Sequence, residues 1–582
     1  MNKCCALTLM ILVLTGISRA SFAQVYQAFL GEDGATLTNK LSDCGDLQKT
    51  HEAFKMKSGW PLRLPANASF KNMRGAAIAD LDGDGDLEIV VASDKLLCAY
   101  HHDASLHWSK TLSGAAIYPP AIGDMDLDGD LEIAQATGGI PADGRIYLLD
   151  HNGNDLSGWP QNFSSHWILC SPVMADADGN DTLELIFNER VSPQGLLHIC
   201  KINGNSISAH WPVTINATPS VTPSVGDIDQ DGNMEIILCS YNDILAFDLN
   251  GDLKPGFPVL NVNTTFSYQS PLLADLDASG NLNIIGSTTG DIPEFYVLNH
   301  DGSYHTGWPV PVPDANWTYC PPAIADFNHD GQFSIFMSRP IGDTVLPMLF
   351  GWDHDGVSLD HFPVSAQGGD EGMITIADVD NDGEYEILTA SNLCVSGQGF
   401  IHAFKTDGSG EAAGFPLRPA GFSYMNGANL ADVDNDGMLE LFALTYDQTF
   451  SPTDSVSLNL YELNVPCTNN TIAFGTYKGE NTRDGCILSP AAGITDPSGN
   501  GDYNIFPNPA DQYVNLRLPA DIRGDIVMRV FSINGQLMSE KTIAAATGRQ
   551  MIQVDISRFP AGLLLLQIQN ESGTRNFRLV RQ

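Results

Sequence analysis

From residue 60 to residue 486 the chain alternates short apolar runs with acidic loops, and no stretch carries a persuasive helical period. Runs such as YPPAIGD, LEIAQA and RIYLLD have the length of strands, and turn signals separate them, among them LLDHNG near Asp150, AFDLNG near Asp248 and VLNHDG near His300. The pattern repeats. DLDGDGDLEI begins at Asp80, and related segments begin at Asp124, Asp176, Asp227, Asp275, Asp326, Asp378 and Asp432, roughly every 50 residues, a period that marks a repeat architecture. An aromatic residue, usually followed by proline, recurs in phase at Trp60, Trp108, Trp159, Trp211, Phe257, Trp308, Phe362 and Phe415.

One unit therefore reads as four strands: an approach to the acidic loop, an exit from it, a third strand ending in a turn, and a fourth containing the aromatic marker. Repeated eight times, such a unit predicts an all-β fold, an eight-bladed β-propeller with a seven-bladed ring as the alternative, because radial repetition leaves only short, protected sheet edges. Trp60 precedes the first loop and has no earlier unit to complete. Its strand is expected to close the ring on the last blade, begun by Asp432, and TIAFGTYKG from Thr471 competes for that place. After the repeats, NIFPNPADQYVNLRL, VMRVFSINGQLM, VDISRFPAGLLLLQI and RNFRLVRQ read as strands of a small C-terminal β-sandwich. The predicted division is a signal peptide over 1–23, an N-terminal segment over 24–58, the propeller over 59–488, a linker over 489–501 and the last domain over 502–582.

The acidic loops carry the chemistry. The fullest form, D-x-D-x-D-G-x-x-E, places Asp80, Asp82, Asp84 and Glu88 around a tight turn with Gly85 at its sixth position and the backbone carbonyl of Asp86 at its seventh. Ca²⁺ takes six to eight oxygens, and alternate residues of such a loop direct carboxylates inward, so these residues are expected ligands. The same set is Asp124, Asp126, Asp128, Asp130 and Glu132; Asp227, Asp229, Asp231, Asn233 and Glu235; Asp378, Asp380, Asp382, Glu384 and Glu386; and Asp432, Asp434, Asp436, Met438 and Glu440. A weaker version has Asp176, Asp178, Asn180, Thr182 and Glu184, with Asp181 at the glycine position. The loops from Asp275, with Ser279 and Asn283, and from Asp326, with Asn328 and Ser334, are expected to be empty. An EF-hand takes its last acid at position twelve between helices, whereas here the acid at position nine runs straight into a strand.

The formal net charge is −41, from 70 acidic against 29 basic residues, which disfavours nucleic acid and anionic membranes as partners and follows largely from these loops. The first residues, MNKCCALTLMILVLTGISRASFAQ, read as a cleaved secretory signal, and no other run is long enough to span a bilayer. Cys98, Cys170, Cys200, Cys239, Cys320 and Cys394 fall in strand-like runs and read as small hydrophobes. Cys467 and Cys486 bracket the end of the repeats in an exported chain, and a disulfide between them is expected; Cys44 is unassigned.

The repeated D-x-D-x-D-G-x-x-E with its following strand resembles the FG-GAP and VCBS repeats of integrin α-chain propellers and bacterial exoproteins, over residues 60–486. That resemblance implies that the acidic residues are structural Ca²⁺ ligands. Pro507-Asn508-Pro509, Asn534-Gly535, Pro560-Ala561-Gly562 and the basic tail Arg575, Arg578 and Arg581 together resemble the type IX secretion sorting domain. This second resemblance implies delivery by the type IX machinery to the medium or the outer-membrane surface.

No H-E-x-x-H, G-x-S-x-G or P-loop is present, and His101-His102 reads as a solvated turn. The expected role is non-catalytic: adhesion, or recognition of surface glycans or proteins. A polysaccharide lyase of the rhamnogalacturonan type, on a calcium-binding propeller, is the alternative. Such a lyase needs cations for a uronate and a base for its neighbouring proton, yet only 14 Lys and Arg lie between Pro61 and Cys486. The phased aromatics read as inter-blade packing, leaving Trp167, Trp317, Trp352 and Tyr424 as candidate sugar platforms.

Overall fold

The computed structural model describes most of residues 24–487 and the strands within 504–581; residues 1–23, 42–53 and 488–503 and short loop segments, including Trp317, lie outside the described residues. The signal peptide, the linker and Cys44 therefore fall outside them too. The chain divides into two units, Met1–Pro490 and Ala491–Gln582.

In the first unit the predicted four-strand repeat forms in most sheets, but outside the first sheet the aromatic marker lies in the turn before the fourth strand and not within it, as Trp159 precedes Gln161–Phe163 and Trp211 precedes Val213–Ile215, and after Phe415 only an isolated bridge, Ile401 to Leu417, forms. The second sheet is typical: Ala121–Gly123, Glu132–Thr137, Gly144–Leu149 and Gln161–Phe163 pair in sequence order, and the acidic loop from Asp124 joins the first two strands. In the first sheet a single long run, Glu88–Tyr100, takes the place of the second and third strands, with Asp94 at positive φ where its register shifts. Among the described residues, eight sheets each carry one acidic loop between their first and second strands, giving a propeller-like all-β fold.

Five of the eight junctions are latched by a tryptophan marker, the other three markers being Phe257, Phe362 and Phe415. The indole N–H donates across the junction to the turn of the following sheet: Trp60 to the carbonyl of His102 at 2.8 Å, Trp108 to His151 at 2.9 Å, Trp159 to Ile202 at 2.7 Å, Trp211 to Leu249 at 2.8 Å and Trp308 to His354 at 2.9 Å. The glycine before the aromatic has a positive φ, 96° at Gly158 and 83° at Gly307. A Cβ there would meet the turn carbonyl of the next sheet, Asn203 at 2.5 Å in the first case and Asp355 at 1.7 Å in the second. Only glycine fits so close an approach, which accounts for the repeated G-W-P.

The last sheet is completed from the other end of the repeat region. Leu62–Pro65 pairs antiparallel with Ser455–Pro466, in the register Leu64↔Val456, and Lys55–Met56 continues the pairing. The competing segment does something else. From Thr471 the chain runs along the first strands of successive sheets: Ile472–Phe474 pairs with the seventh sheet, and Gly475, Asn481, Thr482, Asp484 and Gly485 accept N–H groups of Leu430, Ile122, Met174, Val225 and Leu273. Cys486–Ile487 finally pairs in parallel with Leu273 and Ala274. This axial segment is held by buried cations. The Arg483 guanidinium donates to the carbonyls of Tyr477, Glu480, Ala76 and Pro120, and the Lys478 ammonium to the carbonyl of Pro223 and the hydroxyl of Ser224. Burial pushes the Arg483 pKa down to about 9 and pulls Lys478 well below its usual range.

The expected disulfide is absent: Cys467 and Cys486 are both free thiols. Cys467 donates its N–H to Gly437 beside the eighth loop, whereas Cys486 packs with the fourth and fifth sheets. The axial segment between them separates residues that looked adjacent in sequence. The six other cysteines of the repeats are buried as read. At the N-terminus, Val25–Leu30 forms a hairpin with Thr36–Lys40 and adds to Leu393–Val395. In the second unit, Asn504–Phe506, Tyr513–Leu518 and Gln550–Asp555 form one sheet, and four further strands form another. Val514, Val530, Val554 and Leu566 lie in their shared core.

Trp60 sits edge-on to Tyr100 at 6.3 Å and to Phe442 at 6.1 Å, bridging the first and last sheets. Trp60→Ala is expected to lower the unfolding free energy by about 3–5 kcal/mol, the usual cost of truncating a buried tryptophan, as measured in denaturant titrations. A loss below about 1 kcal/mol would show that this junction does not close the ring.

Candidate metal centres

The acidic loops share one internal architecture. At position one, a carboxylate oxygen accepts the N–H of position six: Gly85 to Asp80 at 3.1 Å, Gly129 to Asp124 at 3.1 Å, Asp181 to Asp176 at 3.0 Å, Gly232 to Asp227 at 3.0 Å, Gly383 to Asp378 at 3.0 Å and Gly437 to Asp432 at 3.0 Å. Position six always has positive φ, including 72° at Asp181, where an aspartate accepts a conformation that favours glycine. At position nine, Glu88, Glu132, Glu184, Glu235, Glu386 and Glu440 are all at most 5% exposed, and each accepts the N–H of position two. The head of the second strand is thereby tied back to the start of the loop.

These bonds bring positions one, three and nine together. In the loops from Asp80, Asp124, Asp176 and Asp227, one carboxylate oxygen from each of the three lies within 4.8 Å of the others. Position five behaves differently. The side chains of Asp84, Asp128, Asn180, Asp231, Asp382 and Asp436 accept the N–H of position seven, at Asp86, Asp130, Thr182, Asn233, Glu384 and Met438. They brace the turn beside the cluster. The loop from Asp275 keeps the same geometry with Asn283 in place of glutamate, its side-chain oxygen accepting the Leu276 N–H at 3.2 Å; the centre of the Asp326 loop lies outside the described residues.

Burial, reinforced by the neighbouring aspartates, pushes the pKa of Glu132 and Glu184 up to about 7 and that of Glu386 up to about 8, against the pull of the N–H bonds. Glu440 rises to about 7 although Lys57 opposes the shift. A hard divalent cation fits such a donor set. In the second loop Asp124 Oδ1 is buried without a hydrogen-bond partner, and neither Glu132 nor Glu184 has a basic partner among the described residues.

Elsewhere a basic side chain sits among the carboxylates, and sequence reading did not foresee it. Lys57 Nζ lies 2.6 Å from Asp434 and 3.1 Å from Glu440. Lys254 Nζ lies 2.8, 3.1 and 2.9 Å from Asp229, Asp231 and Glu235. Lys405 Nζ lies 2.6 Å from both Asp380 and Asp382, and 3.8 Å from Glu386. His101 Nδ1 is 2.9 Å from Glu88, and His102 Nε2 is 3.1 Å from Asp86, so the histidine pair sits in a partly exposed turn as read, with both rings against the first acidic loop. The signal that could have found the first two lysines is a shared K-x-G-aromatic-P at Lys57 and Lys254.

Two proposed sugar platforms are ruled out by burial, since Tyr424 is 0% and Trp352 4% exposed. Tyr424 hydrogen-bonds Glu371, and Trp352 stacks on Phe350. Trp167 is half-buried under Arg190.

The profile of the secretion system C-terminal sorting domain matches residues 504–582, and that of the FG-GAP-like repeat matches residues 80–135. No curated protein matches the chain. Among solved structures, that of BBS1N in complex with ARL6DN, soaked with lead, is similar at 14% identity, covering 72% of this chain and 100% of that one, with a TM-score of 0.35. The V. cholerae biofilm matrix protein Bap1 is similar at 14% identity, covering 88% and 87%, with a TM-score of 0.33. A protein of unknown function from Bacteroides caccae is similar at 11% identity, covering 47% and 92%, with a TM-score of 0.29. At these scores the likenesses carry no functional weight.

A carboxyl whose folded pKa lies above its unfolded value binds its proton more tightly when folded, so the stability it contributes is complete below the unfolded pKa and is lost as pH rises through the folded one. In chelator the melting temperature is therefore expected to fall between about pH 4.5 and about pH 7–8, and added Ca²⁺ is expected to flatten the fall. A chelated profile that is level or rising across this window contradicts the loop electrostatics.

Proposed function

We propose that this secreted, outer-membrane surface protein, with its FG-GAP-like repeat, propeller-like fold and type IX sorting domain, is an eight-bladed, calcium-stabilised recognition module. Its loops hold Ca²⁺ through positions one, three and nine as structural sites, and its ligand is a surface glycan or protein bound without chemistry.

The observation that carries this reading is the axial segment. In a propeller the axis is a natural place for a catalytic pocket, but here residues 471–487 run along the first strands of successive sheets, and the three cations there are engaged internally. Arg74, Lys478 and Arg483 are at most 1% exposed, and all three donate to backbone carbonyls. Recognition is better served by the rim. A groove of about 770 Å³ there is lined by His361, Gln367, Phe400, His402, Lys405 and Glu411. His402, stacked between Phe400 and Phe404 at 5.6 and 5.3 Å and 3.2 Å from Glu411, is buried with both rings and holds Glu411 in place, so the half-buried Glu411 and Gln367 and the exposed His361 are the polar groups the groove offers to a hydroxyl-rich ligand.

On a glycan array, the full chain in Ca²⁺ is expected to give hits that chelator removes, and Glu411→Ala is expected to weaken them at least tenfold, about 1.4 kcal/mol. Incubation with pectic or ulvan-type polyuronates is expected to produce no absorbance from unsaturated sugars. A rise in that absorbance would replace this reading with the lyase.

A further inference from the structure

We propose that Lys57, Lys254 and Lys405 are tethered counter-ions that stand in for the metal in the eighth, fourth and seventh sheets, so that only the loops from Asp80, Asp124 and Asp176 take Ca²⁺. The proposal rests on the calcium reading above and changes its stoichiometry from six ions to three.

Three loops show the same contact. In each, one ammonium reaches the carboxylates of positions three, five and nine: Asp229, Asp231 and Glu235 for Lys254; Asp380, Asp382 and Glu386 for Lys405; Asp434, Asp436 and Glu440 for Lys57. Of these, Ca²⁺ would need the oxygens of positions three and nine at about 2.3–2.6 Å. An ammonium ion-paired with them and a divalent ion cannot share that space without strong mutual repulsion.

The lysines arrive by two different routes. Lys57 and Lys254 stand three residues before their aromatic markers, Trp60 and Phe257. Lys405 ends the third strand of its sheet and pairs in register with Glu386. Two unrelated positions delivering one ammonium to one spot is what a requirement for positive charge at the buried glutamate would produce. In the second sheet the equivalent positions are Leu156 and Asp150, and in the third Ser208 and Lys201. Lys201 is exposed and makes no ion pair among the described residues. In the first sheet His101 lies 2.9 Å from Glu88 and has a ring nitrogen within 4.8 Å of an Asp82 oxygen, but no lysine enters the loop among the described residues, which leaves Asp80 and Asp82 for a metal.

Each substitution makes a specific gain expected. Native mass spectrometry of the full chain, stripped by chelator and titrated with CaCl₂, is expected to show three bound ions. Lys254→Met, which keeps the aliphatic stem and removes the charge, is expected to show four, and the triple Lys57→Met, Lys254→Met, Lys405→Met variant six. Lys254→Arg is expected to stay at three. Should a methionine variant fail to fold in chelator, recovery of its melting transition on adding CaCl₂, but not NaCl, supports the same substitution of metal for lysine. Six ions in the parent chain, with no gain in the variants, overturns the proposal and leaves the calcium reading intact. No ion in the parent or in any variant overturns both.

Discussion

A glutamate buried at the start of a β-strand is the constraint around which each repeat is organised. Its carboxylate is nearly excluded from water yet accepts the N–H two residues into its own loop, so it fixes where the loop ends and the strand begins. Desolvation penalises its charge, and the two or three aspartates beside it add to the penalty. A positive charge must therefore be supplied nearby, or the group gives up its ionisation. The acidity of the chain, −41 overall, is in large part this one local arrangement repeated around a ring.

The ring itself depends on contacts that span sheets. Each indole N–H satisfies a turn carbonyl of the next sheet, and the glycine before it lets the two backbones approach. Strand pairing within a sheet is local in sequence, but closure is not: Leu62–Pro65 meets Ser455–Pro466 across most of the chain. The axial segment compounds this, since residues 475–487 contact sheets that precede them by up to 407 positions, as Arg483 does with Ala76. Contacts of such high order form only after the chain between them has paid its loop-closure entropy. Ring closure and axial packing are accordingly late and mutually dependent steps.

The repeats were legible because period, turn residues and acidic spacing all point the same way. The loop from Asp80 and the strand after it have the form that their residues dictate, and even the closing strand could be argued from the unpaired marker Trp60. What stayed hidden was set by tertiary placement. Nothing local in TIAFGTYKG says that it lines the axis, because its hydrogen bonds go to other sheets, from Leu430 beside Gly475 to Pro223, 255 positions before Lys478. The same segment carries Cys467 and Cys486 apart and defeats the disulfide that their positions suggested. Tyr424 looked available as a sugar platform because it stood outside the phased markers, yet it is buried against Glu371. Lys57 lies 377 positions from its partner Asp434, a pairing that exists only because the ring closes.

That last contact ties the two halves of the structure together. Lys57 lies just before the closing strand, and its ammonium enters the acidic loop of the sheet which that strand completes. Closure therefore delivers the counter-charge to the eighth loop at the moment it adds the missing strand, and the loop cannot be neutralised from within the chain until the ring is shut. A metal-held loop has no such link, since its charge is balanced by whatever cation concentration the solution provides. On the proposed assignment, with lysines in the fourth, seventh and eighth sheets and metal in the first three, the last sheet would be secured by the chain while its neighbour across the junction would answer to the medium. The junction bridged by Trp60, between the first and eighth sheets, would then be one boundary between intrinsically neutralised and cation-dependent parts of the ring.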